Sequence, residues 1–125
     1  MSESKNELPS IKLAIGGMPD TRIFRNQVGV AWVGKPPNLT RVKTGLCVGS
    51  ADLIGWHEYV IQWEDIGRKV AVFTSVEVKA VGARTDAAHL ARQTNWAEAI
   101  RTAGGIAFFA TDPEDAKCEI RNWRP

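Results

Sequence analysis

The run "KVAVFTSVEVKA", residues 69–80, is the most strand-like stretch of the sequence and decides the fold. It is rich in valine and phenylalanine, which favour β-strands. After a break at "VGAR", a helix is predicted that begins at Thr85 or Asp86 and ends at Ala103, before a Gly-Gly pair. The short apolar run "IAFFA", residues 106–110, is typical of a strand covered on both faces. This strand–helix–strand order predicts a crossover unit whose two strands pair in parallel.

The segments on either side of this unit complete an α/β pattern. A first helix is predicted from Glu7 to Gly16, and a last helix in "TDPEDAKCEIRNW", capped by Thr111 or Asp112. Short antiparallel strands are predicted in "TRIFRN", "VGVAWVG" and "ADLIGWHEYVIQW", whereas "KPPNLT" reads as a loop and "RVKTGLCVGS" as irregular chain. The expected fold is a central mixed β-sheet flanked by helices, in the order α-β-β-β-α-β-α.

The composition favours one compact globular domain. The chain has 125 residues, 44% hydrophobic and 24% charged, with a formal net charge of +2. A single domain over residues 1–125 is therefore predicted, with residues 1–6 frayed. The first residues, "MSESKNELPS", lack the basic start and apolar run of a signal peptide, and no apolar stretch is long enough to predict a membrane span. We expect a cytoplasmic protein, most of its five tryptophans in the core, and Cys47 and Cys118 as reduced, partly buried thiols.

Two charged residues near the end of the decisive strand run against its apolar character. Side chains alternate across a strand, so Glu77 and Lys79 project to one face and Val76 and Val78 to the other. One interpretation is an exposed ion pair at the strand end, worth about 0–1 kcal/mol. The other is a functional site that needs both charges.

A third charged residue, Asp52, stands just before an apolar run in "CVGSADLIGWH". It suits either a turn residue that accepts bonds from backbone N–H groups or a metal ligand at the mouth of a strand. Two carboxylates that converge from neighbouring strands repel each other, and a divalent cation removes that repulsion. Mg²⁺ suits a site made of one or two carboxylates and a substrate phosphate. A lysine beside the site would stabilise charge on the phosphate or orient the attacking water.

The helix after this strand carries a glutamine on its inward side. Leu90, Ala97 and Ile100 mark the stripe that faces the sheet, and Gln93 lies on or beside it. A buried glutamine needs hydrogen-bond partners. Gln93 therefore either caps a backbone group beneath the helix or points to the same site as Glu77.

In their order and spacing, these motifs resemble the virus-type replication–repair nuclease (VRR-NUC) family of the PD-(D/E)XK nuclease superfamily. The matching motifs cover about residues 7–116: "RIFRNQVG", "GSADLIG", "VEVKA-x-GAR", Q-x-x-W at Gln93 and Trp96, and "AIRTAGGIAFFATDPEDA". The segment "TDAAHLARQ" is longer than the family's usual link. The resemblance implies the restriction-endonuclease fold and a Mg²⁺- or Mn²⁺-dependent DNA endonuclease whose product carries a 5′-phosphate.

The resemblance also implies roles for individual residues. It makes Asp52 and Glu77 the metal-binding acids, with the backbone carbonyl of Val78 as a further ligand and Glu7 as an additional N-terminal acid. The residues implied in catalysis are Asp52, Glu77, Lys79 and Gln93.

Stand-alone, phage-type members of the family resemble Holliday-junction resolvases. The implied substrate is branched DNA in replication, recombination or repair, in the cytoplasm of a bacterium or phage-infected cell. Two symmetric cuts require two active sites, which a homodimer supplies, with Trp32 or Trp123 at its interface. The alternatives are a nuclease fold that holds branched DNA or a protein partner without cutting, and an accessory protein whose acid-x-Lys strand is coincidental.

A cluster of basic residues precedes Asp52 and forms either a phosphate-binding rim or solvated loop charges: Arg22, Arg25, Lys35, Arg41 and Lys43. DNA contacts are predicted at Arg25, Asn26, Arg41, Lys43 and Ser50. Asn26 alternatively fixes a loop, and Ser50 alternatively shapes the turn that presents Asp52. His57 and His89 have the chemistry of general bases, but surface or edge positions are expected for both.

Overall fold

The protein is described here by a computed structural model, which covers residues 7–82 and 84–125. The expected fraying of residues 1–6 lies outside the described residues. The elements follow in chain order: α1 Leu8–Gly16, β1 Thr21–Arg25, β2 Gly29–Lys35, β3 Asn38–Thr44, β4 Leu53–Val60, a 3-10 turn Trp63–Asp65, β5 Lys69–Val78, α2 Ala87–Thr102, β6 Ile106–Ala110 and α3 Pro113–Arg121.

The main sheet is mixed and has the strand order β1-β4-β5-β6. Strand β4 pairs antiparallel with β1 on one side and with β5 on the other. Strand β6 pairs parallel with β5, so that Val76 lies beside Phe108. This confirms the predicted crossover unit and the antiparallel pairing of the earlier strands β4 and β5.

Five strands precede α2, whereas the predicted order α-β-β-β-α-β-α counts three and the individual strand predictions, including residues 69–80, number four. The extra strand is β3, which the sequence analysis divided between a loop and irregular chain. It pairs antiparallel with β2, from Gly29 opposite Thr44 to Lys35 opposite Asn38. The Pro36-Pro37 pair is the tight turn of this hairpin, so the residues after it return along β2 and satisfy its backbone groups. Strands β2 and β3 form a sheet of their own.

Helices α1 and α3 cover one face of the main sheet. Their apolar residues, among them Ile11, Ile15 and Ile120, form one buried cluster with Val76 and Val78 of β5. Each of these side chains is fully enclosed. This cluster is the hydrophobic core, and it supplies the burial that holds the last residues of β5 in place.

Helix α2 covers the other face, but only over β5 and β6. The indole N–H of Trp96 donates to the Ser75 hydroxyl at 2.8 Å and fixes the helix to β5. Phe24, Trp56 and Phe73 lie on this face and stay exposed, although the Phe73 ring also approaches that of Trp96 in α2, with 6.4 Å between ring centres. Strand β5 thus has one face buried in the core and one face that is partly exposed to solvent.

Several side chains lie in different surroundings from those expected. Trp32, Trp56 and Trp63 are exposed rather than packed in the core, since they stand on the hairpin, the open sheet face and a turn. Cys47 and Cys118 are both exposed, because Cys47 lies in a surface loop and Cys118 on the outer side of α3.

A histidine and a leucine are likewise misplaced by the sequence analysis. His57 is buried, and its Nδ1 lies 2.9 Å from the Thr21 hydroxyl, because β4 turns this residue toward the core. Leu90, expected on the inward stripe of α2, is exposed. None of the helices in the described part of the chain is long and apolar enough to span a membrane.

Candidate functional site

Strand register brings the two predicted metal-binding acids together. Leu53 of β4 lies opposite Val76 of β5, so one step further along both strands Asp52 faces Glu77. Residues directly opposite each other on antiparallel strands project to the same face. The backbone N–H of Asp52 donates to Oε2 of Glu77 at 3.2 Å, in agreement with this register.

Glu77 is buried, with 5% of its surface exposed, so the alternative of a surface ion pair does not describe it. Its other carboxylate oxygen, Oε1, accepts a hydrogen bond of 2.5 Å from the side-chain amide of Gln93. A buried carboxylate needs such donors to offset the loss of hydration. The bonds from Gln93 and Asp52 hold it at the wall of a cleft.

Asp52 is also buried, and its carboxylate lies next to residues of β5 and β1. Its Oδ2 accepts from the backbone N–H of Val78 at 3.0 Å. Its Oδ1 lies 3.8 Å from Nη1 of Arg25, which is the side chain at the end of β1. The carboxyl group of Asp52 is therefore fixed beside the backbone of Val78. That the backbone carbonyl of Val78 binds the metal stays a prediction.

Gln93 joins Glu77, near the end of β5, to Lys79, which directly follows the strand. While its amide nitrogen donates to Glu77, its carbonyl Oε1 accepts from Nζ of Lys79 at 2.8 Å. Lys79 also donates to the Thr85 hydroxyl at 2.9 Å and lies 5.8 Å from the ring centre of Phe109. Of the two interpretations of Gln93, the structure supports the one that directs it to Glu77 and Lys79.

Asp52, Glu77 and Gln93 border a cleft of 230 Å³ between the loop before β4 and helix α2, whereas Lys79 is not among the described residues that line it. Six of the residues that line it are Arg25, Asn26, Asp52, Glu77, His89 and Gln93. His89 is half-buried, and its Nε2 lies 3.1 Å from Nε2 of Gln93. A surface or edge position was predicted for His89. Its spacing of four residues from Gln93 on one helix is the signal that places both on one side.

The loop that carries Asp52 is fastened by Asn26 and Ser50, both buried. The amide nitrogen of Asn26 donates to the Ser50 hydroxyl at 2.8 Å and to the Ala51 carbonyl at 2.7 Å. Its carbonyl accepts from the backbone N–H of Leu46 at 3.0 Å. Ser50 closes the turn by donating to the Cys47 carbonyl at 2.6 Å. The alternatives of loop fixing for Asn26 and turn shaping for Ser50 match these bonds.

The remaining predicted residues lie at different distances from the cleft. Arg25 lines it. Arg41 and Lys43 are exposed on β3, in the hairpin next to it. Glu7 stands at the start of α1, and its carboxylate accepts from the Ser10 hydroxyl at 3.0 Å. It is not among the described residues that line the cleft, because α1 packs on the opposite, core face of the sheet.

The carboxylates of the cleft offer a small ligand set for a metal ion. Among residues 7–82 and 84–125, no group of three or more His, Cys, Asp and Glu side chains is arranged to hold a metal ion. Two carboxylates in one cleft nevertheless match the requirement of Mg²⁺, which keeps several waters and takes its remaining ligands from substrate phosphates. Asp52 and Glu77 fit this limited role.

Comparisons with known proteins leave the family open. No protein-family model matches this chain, and no curated protein and no solved structure is significantly similar to it. The resemblance to the VRR-NUC family therefore rests on the sequence motifs and stays a prediction.

Proposed function

We propose that the protein is a metal-dependent DNA endonuclease that hydrolyses phosphodiester bonds, with the restriction-endonuclease fold as its finer architecture. The observation that carries this proposal is the meeting of Asp52 and Glu77 on one face of the sheet. Lys79 is tied to the same cluster through Gln93. Two carboxylates and a lysine from adjoining strand ends form a set that suits phosphate chemistry.

Each side chain has a separate task in this proposal. Asp52 and Glu77 hold Mg²⁺ or Mn²⁺, and the bound ion supplies a Lewis acid toward the scissile phosphate and acidifies water. Lys79 stabilises negative charge that develops on the phosphate and orients the attacking water. Gln93 holds the Glu77 carboxylate and the Lys79 ammonium at fixed positions. The cut leaves a 5′-phosphate, as the family resemblance implies.

The proposed substrate is branched DNA, such as a Holliday junction, in phage-type replication, recombination or repair. Paired cuts in a junction need two sites, and a two-fold homodimer supplies them. Trp123 packs in part against its own chain, since its ring lies 5.4 Å from that of Tyr59 in an edge-to-face contact. The open sheet face with Phe24, Trp56 and Phe73 offers a larger apolar area for a partner subunit.

The test is a cleavage assay on labelled four-way junction, flap and linear duplex, with Mg²⁺ and with EDTA. The Glu77→Gln variant keeps the shape of the side chain and removes its charge, and we expect a loss of at least about 100-fold in rate. Glu98→Gln, on the exposed side of α2, is the matched control and should cut like the natural protein. Equal cutting by the Glu77 variant, or cutting in EDTA, would disprove the proposed site.

The second candidate is a module that binds branched DNA or a protein without cutting it. One observation favours it: groups of the protein itself already bind both carboxylates, as the bonds from Val78 and Gln93 illustrate. Tight binding of the junction without cleavage in Mg²⁺ or Mn²⁺ would support this candidate over the enzyme.

A further inference from the structure

The β2–β3 hairpin begins and ends in the wall of the cleft. Val28, just before β2, and Val48, in the loop that follows β3, both line the cleft. The hairpin itself forms a separate two-stranded sheet. It therefore stands next to Asp52 and Glu77, where a bound substrate would extend beyond the cleft.

One face of this hairpin combines an aromatic ring with positive charge. Trp32 lies directly opposite Arg41, and Val30 lies opposite Lys43. Cross-strand partners project to the same face. The Trp32 side chain is 62% exposed, so the ring and the two cations are presented side by side to solvent.

The charge around the hairpin indicates the kind of partner. Between Asp20 and Asp52 the sequence contains no acidic residue and five basic ones: Arg22, Arg25, Lys35, Arg41 and Lys43. A second copy of the chain is a poor partner for this face, because a two-fold contact would bring like charges together. A polyanion is complementary to it, and an exposed tryptophan adds a surface on which a base can stack.

We propose that the β2–β3 hairpin binds nucleic acid beside the cleft, with Trp32 stacked on an unpaired base and Arg41 and Lys43 on neighbouring phosphates. Bases inside a continuous duplex are already stacked, so this contact selects single-stranded or branched substrates. The inference deepens the proposed nuclease function and rests on it for the position of the cut.

The first experiment measures binding in EDTA, by fluorescence anisotropy, to a four-way junction, a single strand and a linear duplex. Trp32→Ala should weaken binding to the single strand and the junction by about 5- to 150-fold, the usual effect of losing one stacked base. Binding to the duplex should change little. Trp63→Ala is the matched control, because Trp63 is 86% exposed in the turn at the far end of the sheet.

The second experiment tests the cations through salt dependence. Arg41→Ala and Lys43→Ala should each lower the slope of log K against log salt by about one, on all three substrates. Arg68→Ala, an exposed charge in the β4–β5 turn, should leave the slope unchanged. Melting temperatures of all variants establish that they are folded.

The outcomes separate this inference from the proposed function. Metal-dependent cutting by the natural protein, with binding unchanged by Trp32→Ala, would overturn the hairpin contact and leave the nuclease intact. Binding that falls in Trp32→Ala, without cutting in any metal, would support the hairpin and remove the nuclease. A change of Trp32→Ala from dimer to monomer with unchanged DNA affinity would overturn the inference in favour of a subunit interface.

Discussion

At the scale of single residues, Gln93 explains how a buried acid at the end of a strand and the lysine two residues later can lie so close together. A side-chain amide has a donor and an acceptor at one end. In this protein the donor faces the Glu77 carboxylate and the acceptor faces the Lys79 ammonium. One neutral side chain therefore bonds to both charged groups, and Asp52 and Thr85 supply a further partner to Glu77 and to Lys79.

We expect Gln93→Met to lower the cleavage rate by about 10- to 100-fold, the range found when a residue that orients a metal ligand is lost. Methionine has a similar length but forms neither hydrogen bond, so Glu77 and Lys79 lose their common partner. The measurement is the cleavage rate as a function of Mg²⁺ concentration. Asn95→Met, on the exposed side of the same helix, is the control. A rate like that of the natural protein would show that Gln93 has no part in the site.

The sequence predicts part of this residue-scale arrangement and misses the rest for a physical reason. Alternation along a strand and the period of a helix place Glu77, Lys79 and Gln93 on facing sides. Those two periods say nothing about bonds between distant loops. The contact of Asn26 with Ser50, 24 residues away, depends on the return path of a hairpin that the sequence analysis did not find.

At the scale of elements, α2 is positioned by its N-cap residue as well as by its packing. Asp86 caps the helix by accepting from the backbone N–H of His89 at 2.9 Å. This bond lowers the pKa of Asp86 from its ordinary value of 3.8. The same helix presents His89 and Gln93 to the cleft, so the cap at its N-terminus helps to position these two side chains.

We expect Asp86→Ala to lower the melting temperature at neutral pH, while Asp86→Asn, which also caps helices well, should lower it less. The folded pKa is depressed, so the contribution of Asp86 is complete above pH 3.8 and is lost as the pH falls through the lower, folded pKa. The gap between the natural protein and Asp86→Ala should therefore close in strong acid. Thermal unfolding followed by circular dichroism from pH 2 to 7 measures it, and a gap that widens in acid would contradict this assignment.

The elements themselves are predicted unequally. Strands β5 and β6 and the three helices are evident because apolar runs, caps and glycine stops agree with one another. Strand β3 is missed because "NLTRVKT" has few apolar residues. It pairs with β2 across a tight turn, and that pairing, rather than burial, makes it a strand.

At the scale of the whole molecule, burial and strand pairing are concentrated in the main sheet rather than in the β2–β3 hairpin. Strand β5 is paired on both edges, with β4 and β6, and its residues Thr74 to Val78 are buried. The hairpin forms its own sheet and is largely exposed. We therefore expect the main sheet to be more stable against local opening than the β2–β3 hairpin.

Hydrogen exchange should show this contrast directly. Amides of β5 should exchange slowest, near the rate of global unfolding, and those of β2 and β3 should exchange faster by local opening. The measurement is exchange followed by mass spectrometry on the free protein and again with single-stranded DNA. Added DNA should slow exchange in the hairpin. A free hairpin as protected as β5 would contradict this division.

The two exposed thiols also make the protein convenient to follow with attached dyes. Cys47 lies in the loop that leads to Asp52, while Cys118 lies on α3, which covers the other side of the sheet. A maleimide probe on Cys47 in a Cys118→Ser background would report from the mouth of the cleft. The reciprocal variant, Cys47→Ser, would carry its dye on Cys118. The fluorescence of that dye should not change when a ligand binds at the cleft, so it serves as the reference.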